Sequence, residues 1–142
     1  MEFIFLDGET LTRQQIERIV KGKARVKLSD VAKENVIKSR DRIEAQLQNG
    51  AVIYGVNTGF GQLATIRIHD EDNELLQLNL LRSDATGVGE PFPIEVVRAM
   101  MILRANALAR GFSGIRLETL ELLLALINEN VTPVVPAQGS VG

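Results

Sequence analysis

Tyr54 is the chain's single tyrosine and stands directly before a run of glycines, Gly55-Val56-Asn57-Thr58-Gly59-Phe60-Gly61. A phenol beside bare backbone could act as a base toward a ligand lying against the glycines. The ordinary alternative is a buried aromatic with a hydrogen-bonded hydroxyl. A free phenol is a poor base near neutrality, so a functional Tyr54 needs neighbours that favour the phenolate. The glycine run is neither a Walker loop nor a dinucleotide fingerprint, and it contains no lysine for a phosphate. Asp84 follows a leucine-rich stretch, where the negative end of a helix disfavours a carboxylate. Either nearby backbone amides satisfy it or it meets a cationic or donating partner such as a ligand. Arg104 and Asn106 interrupt an apolar helix and suit internal polar networks. His69, beside Asp70-Glu71-Asp72, reads as a surface turn residue.

Other chemistries are excluded by what is missing. With no cysteine there is neither a disulfide nor a thiolate nucleophile, and one histidine makes a zinc site unexpected. The net charge of -2 comes with scattered basic residues, so no nucleic-acid partner is expected. Leu122–Ile127 is far shorter than the roughly 20 apolar residues of a membrane span, and the N-terminus lacks a basic region before its apolar run. No membrane partner is expected, and the cytoplasm is the default compartment. A composition of 45% hydrophobic and 24% charged residues suits a packed core rather than disorder.

The elements that must position these residues are mostly helical. Residues 3–6 suit a short strand closed by Asp7-Gly8. Thr12 and Gln15 form a capping-box pattern before Ile16, Ile19 and Val20, with the helix ending near Gly22. Ser29 suits the N-cap of a longer helix with Ala32, Val36, Ile43 and Leu47 on one stripe, stopped by Asn49-Gly50. Its other face, with Lys33, Lys38, Arg40, Asp41 and Glu44, reads as solvated. The next helix starts near residues 70–73 and reaches about Ser83. Leucines 75, 76, 78, 80 and 81 surround it, the pattern of a helix buried in a large core. Pro93 suits a helix N1 position, with helix from Ile94 to Arg110 stopped by Gly111. A last helix, about Arg116 to Asn128, carries Leu117, Leu120, Leu124 and Ile127 on one stripe. The tail from Val131 is extended and rich in proline and glycine. The final helices are apolar enough to require packing against further chain or other subunits.

Four blocks, in order, together resemble the histidine and phenylalanine ammonia-lyase family. They are Tyr54–Gly61; Leu78–Pro91 (Leu-Asn-Leu-Leu-Arg-Ser-Asp-Ala-Thr-Gly-Val-Gly-Glu-Pro); Arg104–Arg116 (Arg-Ala-Asn-Ala-Leu-Ala-Arg-Gly-Phe-Ser-Gly-Ile-Arg); and Pro136–Gly142 (Pro-Ala-Gln-Gly-Ser-Val-Gly). The last is similar to the family's lead-in to an Ala-Ser-Gly triplet.

The resemblance implies a mainly α fold, with glycine-rich active-site loops, in a homotetramer. Residues 1–142 would be the N-terminal segment of the lyase domain, incomplete and inactive without the downstream polypeptide. It implies an electrophilic 4-methylideneimidazol-5-one formed autocatalytically from Ala-Ser-Gly downstream of Gly142, which makes Gly142 the cofactor's neighbour. Tyr54 corresponds to the tyrosine that removes the substrate's β-proton, and Gly61 belongs to the backbone that the substrate approaches. Ser83 and Asp84 correspond to the pair facing the substrate side chain. Histidine-specific members of the family carry Ser-His there, so Asp84 is a departure. A carboxylate favours the N–H of an imidazole and would be left unpaired against a phenyl ring. The implied reaction is therefore elimination of ammonia from L-histidine to give trans-urocanate. A lyase or aminomutase acting on another aromatic or cationic amino acid is one alternative. A non-catalytic helical assembly segment is the other.

Overall fold

The computed structural model describes residues 2–63, 66 and 68–139. Five α-helices dominate it, as the sequence implies, and they belong to two compact units. The first comprises residues 1–43 and 92–135, the second residues 44–91 and 136–142.

In the first unit, strand β1 (Glu2–Leu6) leads into helix α1 (Arg13–Val20), and strand β2 (Ala24–Leu28) returns parallel to β1. Parallel neighbours require such a crossover. Both halves of the capping box form at the start of α1: the Gln15 N–H donates to Thr12 Oγ1, and the Thr12 N–H donates to Gln15 Oε1. β2 has no counterpart among the sequence expectations. It alternates strictly, with Ala24, Val26 and Leu28 buried, but it is five residues long and broken by Arg25 and Lys27. Its open edge is closed by a side chain. Asn128 Oδ1 accepts the Val26 N–H at 2.8 Å, and Asn128 Nδ2 donates to the Val26 carbonyl at 2.9 Å.

Helix α2 (Asp30–Gln48) starts where expected, with the Ala32 N–H donating to Ser29 Oγ at 3.2 Å. Two residues on its expected solvated face, Lys33 and Arg40, are half-buried. Arg40 reaches the Gly114 carbonyl at 3.4 Å. Helices α4 (Ile94–Ala109) and α5 (Leu117–Asn128) supply the rest of the core, chiefly through Ile102, Ala105, Leu120 and Ile127. Pro93 is the N-cap of α4 rather than its first helical residue. Val96, Met100 and Leu103 of α4 remain exposed.

Arg98 is buried beneath this unit. Its Nε donates to the Val20 carbonyl, and its Nη2 to the carbonyls of Ile19 and Ile127, at 3.1–3.2 Å. One guanidinium thus satisfies the C-terminal ends of both α1 and α5, where carbonyls lack helical partners and carry partial negative charge.

In the second unit, helix α3 (Asn73–Asp84) follows a 3-10 turn at Asp70–Asp72, and strand β3 (Val88–Pro91) pairs antiparallel with β4 (Pro136–Gln138). The large core expected around α3 is not found among the described residues. None of its residues is buried, and Leu75, Leu78 and Leu81 are exposed. No helix among the described residues is long and apolar enough to cross a membrane.

Candidate active site

The loop bearing Tyr54 is tied down by its own polar side chains. The Val56 N–H donates to the Ile53 carbonyl at 3.1 Å, closing a turn with Tyr54 and Gly55 at its centre. Gly55 has φ +76, which strains any residue with a Cβ. Asn57 and Thr58 are only 3% and 0% exposed. Asn57 Oδ1 accepts the Ile53 N–H at 2.8 Å, and its Nδ2 donates to the Ala51 carbonyl at 2.9 Å. Thr58 Oγ1 accepts the Gly55 N–H and donates to the Gly59 carbonyl. Backbone bonds from Gly59 N–H to Ile66 O and from Ile68 N–H to Asn57 O hold the far side. Buried polar groups must be paired, and here the pairing gives a glycine-rich segment a defined path.

Tyr54 itself is 63% exposed. Its ring meets Phe60 edge-on at 6.0 Å between centroids, and its hydroxyl has no hydrogen bond among the described residues. Among the described residues the phenol is therefore neither buried nor hydrogen-bonded. Gly61 has φ +58, with open space where a Cβ would stand.

Ser83 and Asp84 form the last turn of α3. The Ser83 hydroxyl donates to the Leu80 carbonyl at 2.8 Å, leaving its lone pairs to accept. Thr86 N–H donates to the backbone carbonyl of Asp84, not to its carboxylate. The exposed Asp84 carboxylate makes no hydrogen bond or ion pair among the described residues. After this pair the chain turns through Gly87 into β3, which pairs with β4. A Cβ on Gly87 would lie 3.0 Å from Pro136 Cγ, so the bare backbone here admits the strand that leads toward Gly142. Gly142 lies outside the described residues. Tyr54, Gly61, Ser83 and Asp84 all belong to the second unit.

The block Arg104–Arg116 belongs to the first unit, and its glycines serve packing. A Cβ on Gly111 would lie 2.6 Å from the Asn35 backbone, and one on Gly114 would lie 2.3 Å from Ile43 Cδ1. Asn106 Oδ1 accepts the Gly8 N–H at 3.1 Å, an internal role as expected, whereas Arg104 is exposed. His69 is exposed, in a turn closed by the Asp72 N–H on its carbonyl. Sequence reasoning did not single out Asn57 and Thr58. The available signal was two polar residues in the middle of a glycine run.

A family model described as aromatic amino acid lyase matches residues 11–142. The chain belongs to the aromatic amino acid lyase family. Over 142 residues it is 49% identical to a histidine ammonia-lyase from Caldanaerobacter subterraneus, covering 100% of this chain and 28% of that relative. Among solved structures, a histidine ammonia-lyase from Trypanosoma cruzi superposes with a TM-score of 0.87 at 39% identity, covering 100% of this chain and 27% of that one. A tyrosine aminomutase from Streptomyces globisporus superposes with a TM-score of 0.89 at 36% identity, covering 96% and 26%. The chain spans about 28% of the length of the curated relatives it matches.

Proposed function

We propose that the protein belongs to a carbon–nitrogen lyase that eliminates ammonia from L-histidine to give trans-urocanate. Tyr54 carries this assignment: its phenol is exposed and, among the described residues, unbonded at the tip of a loop whose backbone is otherwise secured. In its phenolate form it takes the β-proton of the bound amino acid. The C–H pair becomes the Cα=Cβ bond, and nitrogen leaves with the electrons of the broken C–N bond as ammonia. A base held in position contributes about 10²–10⁴ in rate.

Gly61 lets substrate lie close to backbone. Ser83 offers hydroxyl lone pairs, and Asp84 offers a carboxylate with no partner among the described residues. An imidazole N–H satisfies these acceptors and a plain phenyl ring does not. The similarity to histidine ammonia-lyases at about half identity favours the same substrate.

The bare backbone at Gly87 makes room for Pro136 of β4, the strand that precedes the expected cofactor segment. Gly142 and the residues after it would hold a 4-methylideneimidazol-5-one made from Ala-Ser-Gly. When formed, this group is the electrophile that activates the amine for departure. Residues 1–142 act here as the N-terminal segment of a larger lyase domain, which needs the downstream polypeptide and assembles as a cytoplasmic homotetramer.

Replacing Tyr54 with phenylalanine in the full-length protein tests the assignment. Ammonia release should fall by roughly 10²–10⁴-fold with circular dichroism unchanged. Undiminished turnover would remove the phenol from the reaction. The likeness to a tyrosine aminomutase supports a second reading, return of the amine to the β-carbon. Product analysis separates the two: an unsaturated acid for the lyase, a β-amino acid for the aminomutase.

A further inference from the structure

We infer that Asn57 aims the Tyr54 phenol, as a positioning residue that never meets the substrate; this rests on Tyr54 acting as the base. Tyr54 stands at the tip of its turn, and among the described residues its side chain is anchored by the Phe60 edge contact alone. The direction of its Cα–Cβ bond is therefore set by the backbone on either side. Asn57 governs that backbone. Its carboxamide spans Ala51 and Ile53, bonding at 2.9 Å and 2.8 Å to groups just before the tyrosine. Its own N–H donates to the Ile53 carbonyl at 3.2 Å, and its carbonyl accepts the Ile68 N–H at 3.0 Å.

One residue, 97% removed from solvent, thus fastens both the approach to the turn and the exit from it. An amide fits the task chemically. It needs one acceptor for the Ile53 N–H and one donor for the Ala51 carbonyl, and asparagine has both at the ends of a short, nearly rigid stem. A hydroxyl or a carboxylate supplies one of these functions well and the other poorly. Thr58 completes the arrangement on the glycine side, where its hydroxyl joins Gly55 to Gly59.

The test uses the full-length enzyme with L-histidine and with L-histidine deuterated at the β-carbon. Asn57→Ala should lower kcat roughly 100-fold, as expected for a base displaced by about 1 Å. KM should move far less, because the groups facing the substrate side chain are untouched. The β-deuterium isotope effect on kcat should rise, since proton removal becomes the slow step. Loss of folded protein alone would lower kcat without moving the isotope effect, and that result overturns the inference, as does an unchanged kcat. If Asn57→Ala does not fold, Asn57→Asp is the substitute, nearly isosteric but facing the Ala51 carbonyl with a carboxyl oxygen in place of the donor. Tyr54→Phe is measured alongside. An inert Tyr54→Phe with a fully active Asn57 variant defeats the positioning role alone, whereas an active Tyr54→Phe defeats the base assignment beneath it.

Discussion

Substituting Gly87 by alanine probes the spacing between the Ser83–Asp84 turn and the strand leading to Gly142. The φ of Gly87 lies outside the left-handed region, so its backbone accepts an alanine. The obstacle is Pro136. The new methyl would stand 3.0 Å from Cγ, 3.2 Å from Cβ and 3.4 Å from Cδ, where ordinary contact begins at 3.4 Å. Cγ and Cβ both lie inside that distance, and Cβ is fixed to the backbone whatever the ring pucker, so β4 must retreat by about 0.4 Å. If 1 Å of misplacement costs about 10²-fold in rate, 0.4 Å costs roughly 6-fold. Residues 85–90 are exposed, so stability should change little. The assay is the initial rate of ammonia release by the full-length protein, together with the ultraviolet absorbance of the ring. Adding Pro136→Ala should restore part of the rate, because it removes Cγ, the nearer of the two crowded atoms. A Gly87→Ala protein with full activity would refute the reasoning. So would a loss of equal size in the double variant.

Replacing Asp84 with leucine should reduce turnover of L-histidine by roughly 10–100-fold, the worth of a hydrogen bond to a charged group, and raise that of L-phenylalanine; competition kinetics with both substrates checks this. Asp7 gives an acid-stability prediction. The Thr10 hydroxyl, followed by the backbone N–H groups of Thr10 and Glu9, lowers its carboxyl from 3.8 to about 2. A carboxyl lowered on folding adds stability that is complete above its unfolded value and is lost as pH falls through its folded one. Asp7→Asn should therefore flatten the fall in unfolding free energy between about pH 4 and pH 2, measured by denaturant titration at stepped pH.

Local patterns made much of the fold legible. The Thr12–Gln15 pair is complete within one helical turn, and Leu120, Leu124 and Ile127 are buried where their spacing placed them. Elements that depend on distant partners were not legible. β2 exists because β1 and Asn128 flank it, and β3 because β4 lies beside it, despite the glycine and prolines in the pair. α3 packs into no core among the described residues, so its leucines have no partner to be read from within this chain. At the site, residue types marked Tyr54 and Asp84 as unusual, and the family resemblance suggested roles. The scaffold under Tyr54 went unread because Asn57 and Thr58 act through backbone bonds, which leave no periodic trace. Arg40, half-buried on a charged face, was hidden because its partner carbonyl is 74 residues away.

The amide of Asn128 on Val26 also orders events in time. The two residues are separated by 102 positions. A ribosome adding about 5–20 residues per second needs roughly 5–20 seconds to make that stretch. Throughout that interval the outward N–H and C=O of Val26 lack their native partner and stay open to any extended peptide that could pair with them. The nascent chain therefore carries an adhesive border, and its own late asparagine is the plug.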